Sequence, residues 1–138
     1  MKNILIDSCF WFALLTQADQ HHSKAKKIEE ILDHNKIMLP FPSLYETLNT
    51  KFTKQEKCMR IFEEYKKRTN TTLICDTEYR DKALSTTFFS KNRPMALVDT
   101  TIRLMLEDTN LNINALVTFN REDFDDICRK RGIELVSK

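Results

Sequence analysis

The stretch Asn3-Ile4-Leu5-Ile6-Asp7-Ser8-Cys9-Phe10-Trp11-Phe12 decides how the rest of the sequence is interpreted. Its first four residues are typical of a short buried strand, and a helical pattern begins after Asp7. A carboxylate at the end of an N-terminal strand is an unusual place for a charge. Open α/β sheets bind their ligands in the crevice beyond the carboxyl ends of the strands. We therefore expect Asp7 to be the first member of a metal-binding carboxylate cluster.

The composition is that of an ordinary globular protein, and it excludes two classes of enzyme. The 138 residues are 41% hydrophobic and 30% charged, with a formal net charge of +2. Gly132 is the only glycine, so the sequence cannot form the glycine-rich phosphate loop of a P-loop enzyme or a dinucleotide dehydrogenase. A chain of this length can bury a substantial core, and we expect one domain spanning residues 1–138.

The four cysteines lack the spacing of a zinc site or a redox pair. Cys9, Cys58, Cys75 and Cys128 lie in apolar or helical runs, which predicts buried free thiols in a reducing compartment. Asp7 interrupts the first apolar run, so the sequence does not predict a signal peptide. No stretch reaches the roughly 20 apolar residues of a membrane span. We expect a cytoplasmic protein that has no membrane association.

Short apolar segments alternate with helical patterns along the chain. The predicted strands are residues 3–6, 37–39, 71–75, 115–118 and 133–136. The predicted helices begin just after Asp7, after His22, at Ser43, at Lys54, at Asp76, at Leu97 and at Asp123. Strands that are apolar on both faces and alternate with helices are typical of parallel sheets covered on both sides. The pattern predicts an α/β protein: a three-layer α/β/α sandwich with a short, mostly parallel central sheet.

Each acidic candidate also has an ordinary structural explanation. Asp7 can cap the helix that follows it, and Ser43-Leu44-Tyr45-Glu46 has the form of a capping box. Asp99 near the start of a helix suits the helix dipole. Asn120 can cap the last helix, with Asp123 in its first turn. Taken alone, each residue fits its structural role better than a functional one.

The joint placement of these residues favours a shared site. In a parallel sheet the strand-to-helix junctions lie at one edge, so Asp7, Glu46, Asp99 and Asp123 can converge there from distant parts of the chain. Converging carboxylates raise each other's pKa unless a cation neutralises them. Ligand sets made of oxygen alone select Mg²⁺ or Mn²⁺. The natural chemistry of such a site is hydrolysis of a phosphodiester.

At these residues the sequence resembles the PIN domain family, and most closely its small ribonuclease toxins of the VapC type. Four motifs carry the resemblance: residues 3–8 (NILIDS), 42–48 (PSLYETL), 97–102 (LVDTTI) and 117–124 (VTFNREDF). They cover essentially the whole chain, in the order of the family and at similar spacing. The resemblance implies a PIN-like fold, Mg²⁺- or Mn²⁺-dependent cleavage of RNA and, commonly, a homodimer. For a toxin it also implies a cognate antitoxin.

The resemblance further implies roles for individual residues. Asp7, Glu46 and Asp99 match the three acidic positions of the family, and we group Asp123 with them as a catalytic carboxylate. The fourth position carries Asn120 where the family often has Asp. The implied metal ligands are therefore Asp7 and Asp99 together with Asn120, Asp123 or both.

Four further residues are candidates for supporting roles. The hydroxyls of Ser8 and Thr118 are expected to hold carboxylates or water in place. Arg93 and Arg103 are candidate substrate-binding residues that contact phosphate or pair with the acidic cluster.

The remaining histidine and aromatic candidates are predicted to have structural roles. His21 and His22 are interpreted as surface or capping residues, since a histidine in a loop is not by itself a signal. The run Phe10–Phe12 is expected to lie in the core or at a protein contact rather than to stack on RNA bases.

The sequence thus predicts a metal-dependent endoribonuclease that hydrolyses RNA phosphodiester bonds, as the toxin of a toxin–antitoxin pair. The alternative is a non-catalytic PIN-like module that binds RNA or a partner protein, which Asn120 in place of an acid supports. A phosphatase or phospho-receiver domain is disfavoured, because the first strand ends in a single Asp.

Overall fold

Five parallel strands form the central layer of the structure, a computed structural model that describes residues 1–90 and 94–137. The strands are β1 (Asn3–Ile6), β2 (Lys36–Pro40), β3 (Thr71–Ile74), β4 (Ala115–Val117) and β5 (Glu134–Val136). Their spatial order is β3-β2-β1-β4-β5, and each neighbouring pair is parallel. Arg93, a predicted substrate-binding residue, lies outside the described residues.

Helices connect successive strands and cover both faces of the sheet. They are α1 (Ser8–Leu15), α2 (His22–Leu32), α3 (Phe41–Thr47), α4 (Thr50–Thr53), α5 (Glu56–Lys67), α6 (Arg80–Phe89), α7 (Leu97–Glu107) and α8 (Asp125–Arg131). Short 3₁₀ segments span Thr109–Leu111 and Arg121–Asp123. In the part of the chain that the structure describes, none of the helices has the length and apolar character needed to cross a bilayer.

The central strand β1 is buried on both of its faces. Ile4 and Ile6 pack into one core with Trp11 of α1, whereas Leu5 packs into a second core with Ile102 of α7. Successive strand residues point to opposite faces, so this alternation places one helical layer on each side of the sheet. The predicted three-layer α/β/α sandwich is confirmed, and every strand pairing is parallel.

The carboxyl ends of the central strands lie side by side. The backbone N–H of Asp7, the first residue after β1, donates to the carbonyl oxygen of Val117 at 3.0 Å. The N–H of Thr118, the first residue after β4, donates to the carbonyl oxygen of Val136 at 3.2 Å. The side chains that follow β1 and β4 are therefore neighbours at one edge of the sheet.

The helix predicted to begin at Ser43 begins earlier and is shorter than expected. It begins at Phe41, because proline lacks a backbone N–H and is tolerated in the first turn, where Pro42 lies. It ends at Thr47, and a separate helix follows. The side chain of Asn49 accepts a hydrogen bond of 2.9 Å from the N–H of Phe52 and caps this short helix, α4.

Three other predicted helix starts and one burial prediction were wrong. The helix expected from Lys54 begins at Glu56, because Lys54 is the C-cap residue of α4. Asp76 opens a hydrogen-bonded turn, and the helix begins at Arg80. Asp123 lies in a 3₁₀ segment, and the last helix begins at Asp125. Cys75 is exposed, because it follows the edge strand β3, whereas the other cysteines are buried or partly buried; all four are free thiols.

Candidate active site

Asp7 caps α1 and is buried within a network of donors. Its exposed fraction is 4%, and its Oδ1 accepts a hydrogen bond of 2.8 Å from the N–H of Ser8. Its Oδ2 accepts one of 2.9 Å from Oγ1 of Thr118. Burial raises the pKa of the Asp7 carboxyl, and these hydrogen bonds oppose that rise. Asp7 therefore caps α1 through Oδ1, and the hydroxyl of Thr118 holds its Oδ2 at the sheet edge.

Glu46 is tied to Asp7 through Ser8 and takes no part in a capping box. It lies in the second turn of α3, and its Oε1 accepts a hydrogen bond of 2.8 Å from Oγ of Ser8. The buried hydroxyl of Ser43, which a capping box would use, has no hydrogen-bond partner among the described residues. Burial raises the pKa of Glu46, and the charge of Asp7 raises it further, against the hydrogen bond from Ser8.

Asp99 lies in the first turn of α7, as the sequence predicts, and faces three other carboxylates. Burial raises its pKa to about 7, and the negative charges of Asp7, Glu46 and Asp123 contribute to the rise in that order. Charges shift a pKa only over short distances. The structure thus brings all four predicted carboxylates into electrostatic contact, although they come from four separate segments of the chain.

Asn120 and Asp123 form the fourth side of the site. The N–H of Asn120 donates to Oγ1 of Thr118 at 3.0 Å, and its Nδ2 donates to Oδ2 of Asp123. The backbone carbonyl of Asp123 accepts a hydrogen bond of 2.8 Å from Nη1 of Arg103. The 3₁₀ segment that carries Asp123 is therefore held at one end by Thr118 and at the other by Arg103.

Arg103 is already engaged by a carboxylate of α8. Its Nη1 and Nη2 donate to Oδ1 and Oδ2 of Asp126 at 2.7 and 2.9 Å, a two-pronged ion pair that also fixes the guanidinium plane. Arg103 therefore pairs with Asp126, which is outside the predicted carboxylate cluster, and contacts the cluster through the backbone carbonyl of Asp123. Its contact with substrate stays a prediction.

Cys9 belongs to the site, although its sequence position gives no signal of this. Its Sγ lies 3.6 Å from Oδ2 of Asp7 and 3.6 Å from Oγ1 of Thr118, and it accepts a hydrogen bond of 3.4 Å from the N–H of Phe119. Burial and the charge of Asp7 raise the pKa of the thiol to about 12. A neutral thiol can donate to Asp7, so Cys9 links the ends of β1 and β4.

The remaining candidates behave mainly as packing residues. Phe10 and Trp11 are fully buried, as expected for the core. Nδ1 of His22 lies 2.8 Å from the carbonyl oxygen of Ala13; because that oxygen can only accept, Nδ1 must carry the proton. His21 is partly exposed and lies flat against Phe119.

The donor set of the site fits a hard divalent cation. The carboxylates of Asp7, Glu46, Asp99 and Asp123 and the amide of Asn120 offer oxygen ligands, which suit Mg²⁺ or Mn²⁺ rather than a soft metal. A cation would also compensate the mutual repulsion that is visible in the raised pKa of Asp99. Among residues 1–90 and 94–137, no group of three or more His, Cys, Asp or Glu side chains is arranged closely enough to hold a metal ion. The site therefore matches a divalent cation in its charge and in the type of its ligand atoms, and not in a closed arrangement of those ligands.

The sheet order and the two helical layers define an α/β/α fold of the PIN type. The structure is similar to that of VapC20 from Mycobacterium tuberculosis, which is described as a toxin that cleaves the sarcin–ricin loop. The TM-score is 0.72 over 89% of this chain and 94% of VapC20, at 17% sequence identity. No model of a protein family and no curated protein matches the sequence. The likeness establishes the PIN fold, and the function has to be argued from the site.

Proposed function

We propose that this protein is a Mg²⁺- or Mn²⁺-dependent endoribonuclease that acts as the toxin of a toxin–antitoxin pair. The observation that carries the proposal is the convergence of Asp7, Glu46 and Asp123 on Asp99, whose pKa they help to raise to about 7. A partly buried cluster of like charges weakens the fold through mutual repulsion, and a bound cation would offset that repulsion. The fold shared with an RNA-cleaving toxin supports RNA as the substrate.

In the proposed reaction the carboxylates have separate roles. Asp7 and Asp99 hold the cation, with Asp123 as the third carboxylate and Asn120 fixing its orientation. When bound, the cation supplies charge stabilisation at the phosphate and lowers the pKa of water. Glu46, oriented by Ser8 and with a raised pKa, accepts the proton of the attacking water. The water oxygen bonds to phosphorus as its proton passes to Glu46, and the bond from phosphorus to the 3′ oxygen breaks. The departing 3′ oxygen takes a proton from solvent, so the products carry a 5′-phosphate and a 3′-hydroxyl.

Cleavage of defined RNAs tests this proposal. Purified protein is incubated with a sarcin–ricin-loop oligonucleotide and with total RNA, in Mn²⁺, in Mg²⁺ and in EDTA. We expect cleavage only with a metal, and a loss of at least 100-fold in Asp7→Asn and Asp99→Asn. Glu64→Gln, which removes an exposed carboxylate on α5, is the matched control and should cleave normally. Full activity in Asp7→Asn, or no cleavage of any RNA by the wild type, would overturn the proposal.

A non-catalytic module remains the second candidate function. Asn120 in place of an acid favours it, together with the absence of a formed ligand cluster among the described residues. Titration with Mn²⁺, followed by calorimetry, separates the two functions. Saturable binding that Asp99→Asn abolishes supports the nuclease, whereas no binding by a folded wild type supports the module.

The toxin role has its own test in cells. Induced expression should stop growth, and Asp7→Asn should relieve the arrest. A toxin of this kind requires a cognate antitoxin, so co-expression of a small neighbouring reading frame should also restore growth. Unchanged growth during expression of an active nuclease would contradict the toxin role and leave the enzymatic proposal standing.

We also propose that the protein is a homodimer that pairs through an apolar face on α3, α6 and α7. Tyr45, Phe88 and Phe89 are 71%, 73% and 77% exposed, and Leu84 and Leu97 are about half exposed. A groove of about 470 Å³ lies between these helices. Three aromatics of this size expose about 450 Å² of surface, a large patch for a monomer. Two copies of this patch, related by a two-fold axis, would bury much of the area of a standard interface.

A further inference from the structure

A histidine and a phenylalanine form a flat stack beside the carboxylate site. The rings of His21 and Phe119 are 4.5 Å apart at their centroids and only 8° from parallel. The aromatic pairs in the core, by contrast, cross at 61° to 83°. We call His21 and Phe119 the stacked pair. Both rings are partly exposed, so the pair is accessible from solvent.

The stacked pair is fixed to the backbone that builds the site. Phe119 lies between Thr118 and Asn120, and its own N–H donates to Sγ of Cys9 at 3.4 Å. Thr118 in turn donates to Asp7. Phe119 is therefore attached directly to the carboxyl ends of β1 and β4, and His21 reaches this edge by stacking on Phe119.

Hydrogen bonds hold the backbone of His21 in place, and core packing holds Phe119. The N–H of His21 donates to Oδ1 of Asp19 at 2.8 Å, and its carbonyl oxygen accepts from the N–H of Ala25 at 2.9 Å. Phe119 packs against the core that contains Trp11. Prior ordering of this kind lowers the entropic cost of binding.

The ring nitrogens of His21 are available for a ligand. Neither of its ring nitrogens makes a hydrogen bond within the part of the chain that the structure describes, whereas Nδ1 of the adjacent His22 lies against the carbonyl of Ala13. A shallow cavity of about 490 Å³ next to the pair is lined by Phe119, Asn120, Arg121, Glu122 and Asp125. This volume falls within the range of about 300–1,000 Å³ that is usual for small-ligand sites.

We propose that the stacked pair binds one unpaired base of the RNA, next to the phosphate that is cleaved. Every base has a flat π-face that stacks on an aromatic platform, and the free ring nitrogens of His21 can meet the base edge or the sugar. In the cavity lining Arg121 is engaged by Ser137 and Asp125 by Arg129, whereas the carboxylate of Glu122 can accept hydrogen bonds from the amino groups of a base. The inference rests on the proposed function, because it assigns a base-binding role beside that same site.

Fluorescence of 2-aminopurine in short single-stranded RNA tests the inference without requiring catalysis. Binding is measured in EDTA, so that cleavage does not interfere, with 2-aminopurine at one position and an abasic RNA as comparison. The wild type should quench the fluorescence and bind the abasic RNA more weakly. Base stacking of ordinary strength predicts that His21→Ala weakens binding by about 5- to 100-fold and removes the quenching.

Two matched variants sharpen the test. His21→Tyr keeps a flat ring and should retain most of the binding, whereas His34→Ala removes an exposed histidine outside the site and should change nothing. Unchanged binding by His21→Ala, or equal losses in His21→Tyr and His21→Ala, would overturn the stacking role.

Cleavage assays on the same proteins distinguish this failure from that of the proposed function. Normal cleavage by His21→Ala with unchanged kcat/KM rejects the stacked pair alone. Base-dependent binding by a wild type that never cleaves RNA rejects the nuclease and keeps the stacked pair. A wild type that neither binds nor cleaves RNA rejects both.

Discussion

Oγ of Ser8 donates a hydrogen bond of 2.8 Å to Oε1 of Glu46, a residue 38 positions further along the chain. Ser8 also gives its backbone N–H to Asp7, so one residue contacts two carboxylates of the site. Its two donors point to different elements, because Asp7 follows β1 and Glu46 belongs to α3. Ser8 thus determines how these two like-charged groups are oriented toward each other.

Replacing Ser8 by alanine should impair catalysis more than folding. The variant keeps the N–H that binds Asp7 and loses only the hydroxyl that orients Glu46. Loss of a hydrogen bond to a ligand or base typically costs about 10- to 100-fold in metal affinity or activity. We expect a decrease of this size in kcat, with a change in unfolding free energy of about 1 kcal/mol. Ser8→Thr, which retains the hydroxyl, is the control; equal losses in both variants would contradict the orienting role.

Asp99 should make the metal-free protein less stable as the pH rises. Its pKa in the folded protein is about 7, above the ordinary value of 3.8, so the folded state holds a proton that the unfolded state releases between these values. Stability therefore falls as the pH increases from about 4 to 7 and levels off above that. Asp99→Asn removes this dependence and should be the more stable protein at pH 8.

Thermal unfolding in EDTA at pH 5 and pH 8 checks this prediction. Because Asp99 is partly exposed, screening by solvent limits the expected gain at pH 8 to the order of 1 kcal/mol. The difference between the two proteins should shrink at pH 5 and reverse when Mn²⁺ is added to the wild type. An equal difference at both pH values would show that ionisation of the partly buried Asp99 is not the cause.

The parts of the fold with strong local signals could be predicted from the sequence. The structure has β1 at Asn3–Ile6 and α7 at Leu97–Glu107, as predicted, because apolar runs and helical periodicity are local properties. Gly132 ends α8 in the left-handed conformation, with a φ of 66°, which glycine adopts without strain. The parallel pairing of β1 and β4 brings Asp7 close to Asn120 and Asp123, whereas Asp99 depends on how α7 packs.

The side-chain contacts within the site could not be predicted in the same way. Cys9 reaches Asp7 because the first turn of α1 directs its thiol back toward β4, and no residue type marks that direction. The pairing of Arg103 with Asp126 joins two helices whose relative position depends on packing. The resemblance suggested Asn120 or Asp123 as alternative ligands, whereas the structure joins them by a hydrogen bond.

A charge on the apolar face should prevent the proposed dimer. Phe88→Glu places a carboxylate on that face, and burying it against a second copy would require it to lose its hydration. We expect a wild-type dimer and a variant monomer when each is examined by size-exclusion chromatography with light scattering. Ile31→Glu changes an exposed apolar residue on α2 and should remain dimeric. A wild-type protein that is monomeric at micromolar concentration would refute the dimer.

Arg103 should act on catalysis by positioning Asp123 rather than by binding phosphate. It holds the backbone carbonyl of Asp123 and forms a two-pronged pair with Asp126, so its charge is already balanced. Arg103→Lys keeps the charge and loses the planar fork. If the residue positions Asp123, this variant should lose about 10-fold or more in kcat, while KM and its dependence on salt stay near wild type.

If the residue binds phosphate, Arg103→Lys should retain much of the activity, and Arg103→Gln should raise KM and flatten its salt dependence. Asp126→Asn separates the two roles further, since it weakens only the positioning pair and should reproduce the loss in kcat of Arg103→Lys.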